Sequence, residues 1–158
     1  MRFGFLSTSN KELIDLAKAW FAISLAFGLA LSGITVKFFE SFIIAMVVVG
    51  TGFLCHELAH KIVAQKYKHF AEFRSFDEML FLAVIMGFFG FVFAAPGAVM
   101  IRARYHNLKQ NGIISAAGPL LNLFLALVFL GFGVFVSGTF LKTLTGYGFM
   151  INSWLALF

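Results

Sequence analysis

Phe42-Ile43-Ile44-Ala45-Met46-Val47-Val48-Val49-Gly50-Thr51-Gly52-Phe53-Leu54-Cys55 carries no charge and runs directly into His56-Glu57-Leu58-Ala59-His60. The apolar part is of the kind that lies in lipid, because a membrane-crossing helix needs roughly 20 mostly apolar residues. One helix is therefore expected from about Ser41 to Ala64, ending in the polar stretch Gln65-Lys66-Tyr67-Lys68-His69. The polar cluster at 56–60 is continuous with the apolar run, and Lys61 marks the approach of the interface.

The same pattern extends outward. Ala19 to Val36, Met79 to Ile101 and Gly112 to Leu141 contain no Asp, Glu, Lys or Arg. Of the 158 residues 61% are hydrophobic and 12% charged, with a mean hydropathy of +0.94. A soluble domain carries about 25% charged residues, so this chain has too few to cover a water-facing globule. The expectation is an α-helical polytopic membrane protein with about four to five apolar membrane segments. The net charge of +5 does not point to nucleic acid, because the basic residues sit between the apolar blocks and form no run interleaved with aromatics. The single cysteine, Cys55, can form no intrachain disulfide.

Ser9-Asn10-Lys11-Glu12 reads as a capping box opening the first helix, which runs from about Leu13 to Val36. The N-terminus does not resemble a cleavable leader. Further segments are expected at Ile113 to about Leu141 and at Thr143 to Phe158. No repeat or long linker divides the chain, so residues 1–158 form one membrane domain.

The path of Met79–Ile101 decides the topology. If it crosses the bilayer, with the N-terminus inside, eight Lys and Arg lie inside and four outside. If it dips in and returns, ten lie inside and two outside. The positive-inside bias favours the return. Gly87, Gly90, Pro96 and Gly97 interrupt the segment, and Val92 to Ile101 reads as extended strands around a turn. A short strand-like re-entrant element is expected between the second helix and the helix bearing Gly118 and Pro119.

His56-Glu57-Leu58-Ala59-His60 matches H-E-x-x-H, a pattern that this chain's His and Glu content would produce by chance roughly 0.003 times. Residues four apart share a helix face, so His56 and His60 can meet one zinc ion (Zn2+) while Glu57 stands beside it as general base. Ionisable groups at membrane depth are costly and mark function. The bland alternative is a polar helix end that reached the interface and happens to hold two histidines. A second constellation, Ala116-Ala117-Gly118-Pro119-Leu120-Leu121-Asn122, combines small residues that let helices approach with an amide able to donate to a developing oxyanion. In the re-entrant topology Asn122 and His56 are expected at one level.

These elements together resemble the site-2 protease family of membrane metallopeptidases, peptidase family M50. The resemblance runs from the second helix onward, through 56–60, the strand-like segment ending near Ile101, and 117–122. Asn152 to Phe158 is similar to the lead-in of the family's last core helix, whose aspartate completes the zinc site. The resemblance implies His56 and His60 as zinc ligands, Glu57 as base and Asn122 near the scissile carbonyl. It implies cleavage of transmembrane segments of other membrane proteins, as in regulated intramembrane proteolysis, with zinc near the cytosolic side of a prokaryotic cell membrane. No Asp lies after Asp77, so the sequence is expected to be a metalloprotease core that stops before its third metal ligand.

Glu72, Asp77 and Glu78 read as solvated loop charges, and His69 and His106 as isolated surface groups. The competing function is a catalytically inactive homologue or membrane scaffold that binds transmembrane helices. A metal transporter would need further His, Asp or Glu in the other apolar blocks, and they hold none.

Overall fold

The computed structural model describes residues 2–3, 6–92, 95–102 and 107–157. Arg104 and His106 lie outside the described residues. A two-residue strand pair, β1 (Arg2–Phe3) and β2 (Leu6–Ser7), precedes helix α1 (Asn10–Ser32). Ser9 caps α1 by accepting from the Glu12 N–H. This is half of a capping box, because the Glu12 carboxylate turns away from Ser9 toward Lys61 and Phe73.

Helix α2 (Phe38–Val49), a π-helical turn at Gly50–Leu54 and helix α3 (Cys55–Lys66) form one continuous rod over Phe38–Lys66. At 1.5 Å per residue such a rod is roughly 43 Å long, enough to carry its basic end beyond a core of about 30 Å. Strand β3 (Phe70–Ser75) and helix α4 (Asp77–Phe88) follow, then strand β4 (Gly97–Arg102), α5 (Leu108–Phe135) and α6 (Thr139–Leu155). Asn107 caps α5 through the Gln110 N–H. The helices Asn10–Ser32, Phe38–Lys66 and Leu108–Phe135 are long and apolar enough to cross a membrane. The chain is a helical membrane protein.

Helix α1 packs on α2 and α4, α3 on α5, and α5 on α6. The core gathers Ala19 and Ile23 of α1, Ile44, Ala45, Val48 and Val49 of α2, and Phe53, Phe73, Leu80 and Ile151. Phe53 meets Phe73 edge-on, with centroids 5.7 Å apart. Helix α4 comes close to α1 at Gly87, where a Cβ would stand 2.5 Å from the Ala26 carbonyl oxygen.

Of the strands expected around a turn over Val92 to Ile101, the described residues form one, β4 (Gly97–Arg102), and the first half of Met79–Ile101 is helical. The strand pairs antiparallel with β3, from Phe70 opposite Arg102 to Ser75 opposite Gly97. Strand β3 leaves no clear sign in the sequence, where its polar residues Glu72 and Arg74 read as a loop. Because the Phe76 N–H donates to the Pro96 carbonyl at 3.1 Å, the chain returns after α4 to the point it left. Twelve helical residues rise roughly 18 Å, well short of a bilayer core.

Three polar residues differ from the sequence-based expectation. Lys61 does not reach to an interface, being only 2% exposed. His69 is buried rather than a surface group. Glu72 is half-buried on β3 and bonded to Ser9 and to Arg74. Asp77 and Glu78 are exposed as expected, and the Lys18 ammonium, with the Ser75 hydroxyl, holds the Asp77 carboxyl below its ordinary range.

Candidate metal centre

Helical spacing brings His56 and His60 to one face of α3, and that face meets α5. Their Nε2 atoms are 3.0 Å apart. The His60 Nδ1 lies 2.7 Å from the Ile114 carbonyl oxygen. A carbonyl can only accept, so Nδ1 carries the proton and Nε2 keeps its lone pair. A backbone carbonyl behind the far ring nitrogen is the usual way to fix a ligating tautomer. Two imidazole nitrogens on one tetrahedral zinc stand roughly 3.3–3.4 Å apart, each about 2.0–2.1 Å from the ion. The observed pair is within a few tenths of an ångström of that spacing. His56 Nδ1 is buried and has no hydrogen-bond partner among the described residues.

The wall facing both rings is Gly118 of α5. A Cβ there would fall 2.5 Å from His56 Nε2 and would also press on His60 Nε2. The missing side chain therefore leaves the space into which both lone-pair positions look. Pro119 follows, lacking the N–H that would bond the Ser115 carbonyl one turn back.

Glu57 lies on the same helix, and its Oε2 accepts from the Val99 N–H of β4 at 3.1 Å. A strand edge thus orients the carboxylate beside the imidazole pair. The sequence did not single out Val99, since the anchoring atom is a backbone amide that any residue would supply.

Asn122 is fully buried, and neither its Oδ1 nor its Nδ2 has a partner among the described residues. Its place on α5 is one helical turn past Gly118, the residue that faces both imidazoles. The packing of α3 on α5 pairs His60 with Ile114 and His56 with Gly118. Gly52 is inside the π-helical turn, a feature frequent at functional sites.

A second asparagine lies against Gly52. Asn152 of α6 is fully buried, donates through Nδ2 to the Gly148 carbonyl, and leaves Oδ1 without a partner among the described residues. A Cβ on Gly52 would stand 3.0 Å from that oxygen. Sequence reasoning gave Asn152 no chemical role. The available signal was a polar amide within an apolar segment.

Among the described residues no group of three His, Cys, Asp or Glu side chains could hold a metal together. His56 and His60 are the imidazole pair that the described residues bring together as the candidate nucleus of a metal site.

The chain is 42% identical over 152 residues to a protein of Methanocaldococcus jannaschii named "Putative zinc metalloprotease MJ0611", the match covering 95% of this chain and 77% of that protein. The chain belongs to this zinc metalloprotease family. Zinc is accordingly its metal, and the donors at the centre suit it: imidazole nitrogens, one with its tautomer fixed from behind, facing a space kept open by a glycine. No family model matches the chain, and no solved structure matches it.

Proposed function

We propose that this metalloprotease is an intramembrane endopeptidase of the H-E-x-x-H type, in the site-2 protease family, hydrolysing peptide bonds in or near transmembrane segments of other membrane proteins. The observation that carries it is the paired Nε2 atoms of His56 and His60, 3.0 Å apart on the long apolar rod Phe38–Lys66. A soluble protease has no need to build its metal centre into a membrane-spanning helix.

His56 and His60 would hold the ion through Nε2. Bound zinc supplies a Lewis acid for the scissile carbonyl and brings the pKa of its water down to about 7. Glu57 takes the proton of the attacking water. Its Oε2 is held by Val99, and its Oε1 has no other bond among the described residues and is free for that proton. The same carboxyl then returns the proton to the leaving amine. Asn122 donates from Nδ2 to the oxyanion that develops on the carbonyl, with no partner among the described residues competing for that N–H.

The segment between β3 and β4 is re-entrant, dipping into the bilayer through α4 and returning. This path supports the topology that leaves ten basic residues inside and two outside and sets the metal centre toward the cytoplasmic face of a multi-pass protein in a prokaryotic cell membrane.

The test is reconstitution of the purified chain in lipid with a membrane-segment substrate. About one zinc per chain is expected, with Glu57→Gln keeping the metal and losing cleavage. Undiminished cleavage by that variant would refute the role of Glu57. A zinc-loaded wild type that binds the segment without cutting it would favour the scaffold reading.

A further inference from the structure

Glu12 and Lys61 form the most deeply buried ion pair among the described residues, at 0% and 2% side-chain exposure and 2.5 Å apart. Lys61 Nζ also donates to the Thr8 hydroxyl at 2.9 Å. Neither residue belongs to the metal centre, yet both connect to it by a short path. The second Glu12 oxygen, Oε1, accepts from the Phe73 N–H at 3.0 Å. Phe73 is directly opposite Val99 in the β3–β4 ladder, and the Val99 N–H holds Glu57 at 3.1 Å.

Opposed residues of an antiparallel pair either exchange both of their hydrogen bonds or point both N–H groups outward. Phe73 and Val99 are of the second kind, since each donates to a carboxylate outside the sheet. The two-stranded sheet is therefore suspended between Glu12 of α1 on one edge and Glu57 of α3 on the other. Lys61 is four residues after Glu57 on α3, so the two share a helix face. A closed circuit results: Glu57, Val99, Phe73, Glu12, Lys61 and one helical turn back to Glu57. A two-stranded sheet is barely stable alone, so its position against α3 is set by these anchors together with the bond from Gln65 Nε2 of α3 to the Ala71 carbonyl of β3 at 2.9 Å.

Building on the assignment of Glu57 as general base, we propose that Glu12 and Lys61 are positioning residues, which fix the β3–β4 sheet to α3 and so set where the Glu57 carboxylate stands. The ion pair reaches the proton-transfer step through a backbone ladder and touches neither substrate nor metal. It would govern turnover without governing zinc affinity, since both His rings are held by α3 and α5.

The test uses full-length chain in lipid, loaded with zinc. Glu12→Gln keeps an oxygen for Phe73 but strands a buried ammonium. The double variant Glu12→Gln with Lys61→Met is therefore made alongside it, so that a folded chain without the Glu12–Lys61 link is available. Hydrogen exchange is followed by mass spectrometry on the peptide containing Gly97–Arg102, together with kcat, KM and zinc content. In the double variant exchange at β4 should rise about tenfold or more and kcat should fall about tenfold or more, while KM and one zinc per chain are kept. The inference is overturned if β4 exchange and kcat both stay within about threefold of the wild type. It is also overturned if kcat falls while β4 exchange does not change, because the effect would then not travel through the sheet. If the wild type itself does not cleave, the exchange result still decides the positioning, and it is the endopeptidase assignment that fails.

Discussion

Replacing Gly118 with alanine adds one methyl group at the point where α5 faces both imidazoles. The added Cβ would sit 2.5 Å from His56 Nε2, where ordinary contact begins at 3.4 Å, a shortfall of about 0.9 Å. It would press on His60 Nε2 as well, so neither ring can move aside without moving from the other. A zinc–nitrogen bond tolerates roughly 0.2 Å of departure, several times less than the displacement required. Loss of a supporting partner alone typically costs 10- to 100-fold in metal affinity. Direct displacement of two ligands should cost about 100-fold or more, which corresponds to about 2.7 kcal/mol. Helix content should hardly change, since alanine is the better helix former. Competition with a chromophoric chelator measures the zinc affinity, and circular dichroism confirms the fold. Affinity within about threefold of the wild type, with cleavage intact, would refute the placement of Gly118 against the imidazole pair.

Asn122→Leu should separate stability from activity. The buried amide has no partner to lose among the described residues, so thermal stability should hold or rise by about 1–3 kcal/mol, while kcat falls about 10²–10³-fold if Nδ2 serves the oxyanion; unchanged kcat would remove Asn122 from the mechanism. Phe73→Ala empties a core position that is 1% exposed and packed edge-on against Phe53, and should destabilise the protein by about 3–5 kcal/mol in denaturant unfolding. Zinc removal by a chelator should abolish cleavage reversibly. Free zinc at about 100 times its Kd should stabilise the loaded protein by about 2.7 kcal/mol in thermal unfolding, and a midpoint independent of zinc would contradict a metal site built by the fold.

The long apolar runs made the helices and their membrane setting legible, because lipid leaves a chain few alternatives to hydrogen-bonding its own backbone. The spacing of His56 and His60 fixed their common face for the same reason: helix geometry converts sequence distance directly into spatial distance. What escaped depends on contacts between distant segments. Strand β3 is short and polar and is defined by its partner β4, not by an alternating pattern of its own. Lys61 was mistaken for an interfacial residue because its counter-charge, Glu12, lies 49 positions away, and nothing local distinguishes a snorkelling lysine from a paired one. Helix α5 begins at Leu108, before the expected start near Ile113, since helix ends are the least legible part of a sequence. Val99 contributes a backbone amide, which leaves no trace in residue identity. Asn152 offered a signal in its polarity, but its place beside Gly52 follows from how α6 packs on the π-helical turn.

X-ray absorption at the zinc edge, on chain purified and held in lipid, tests the central claim most directly. Imidazole scattering with zinc–nitrogen distances of about 2.0–2.1 Å is expected, lost when His56→Ala and His60→Ala are combined. A zinc spectrum unaltered by that double substitution would show that the metal is bound elsewhere and would contradict the account.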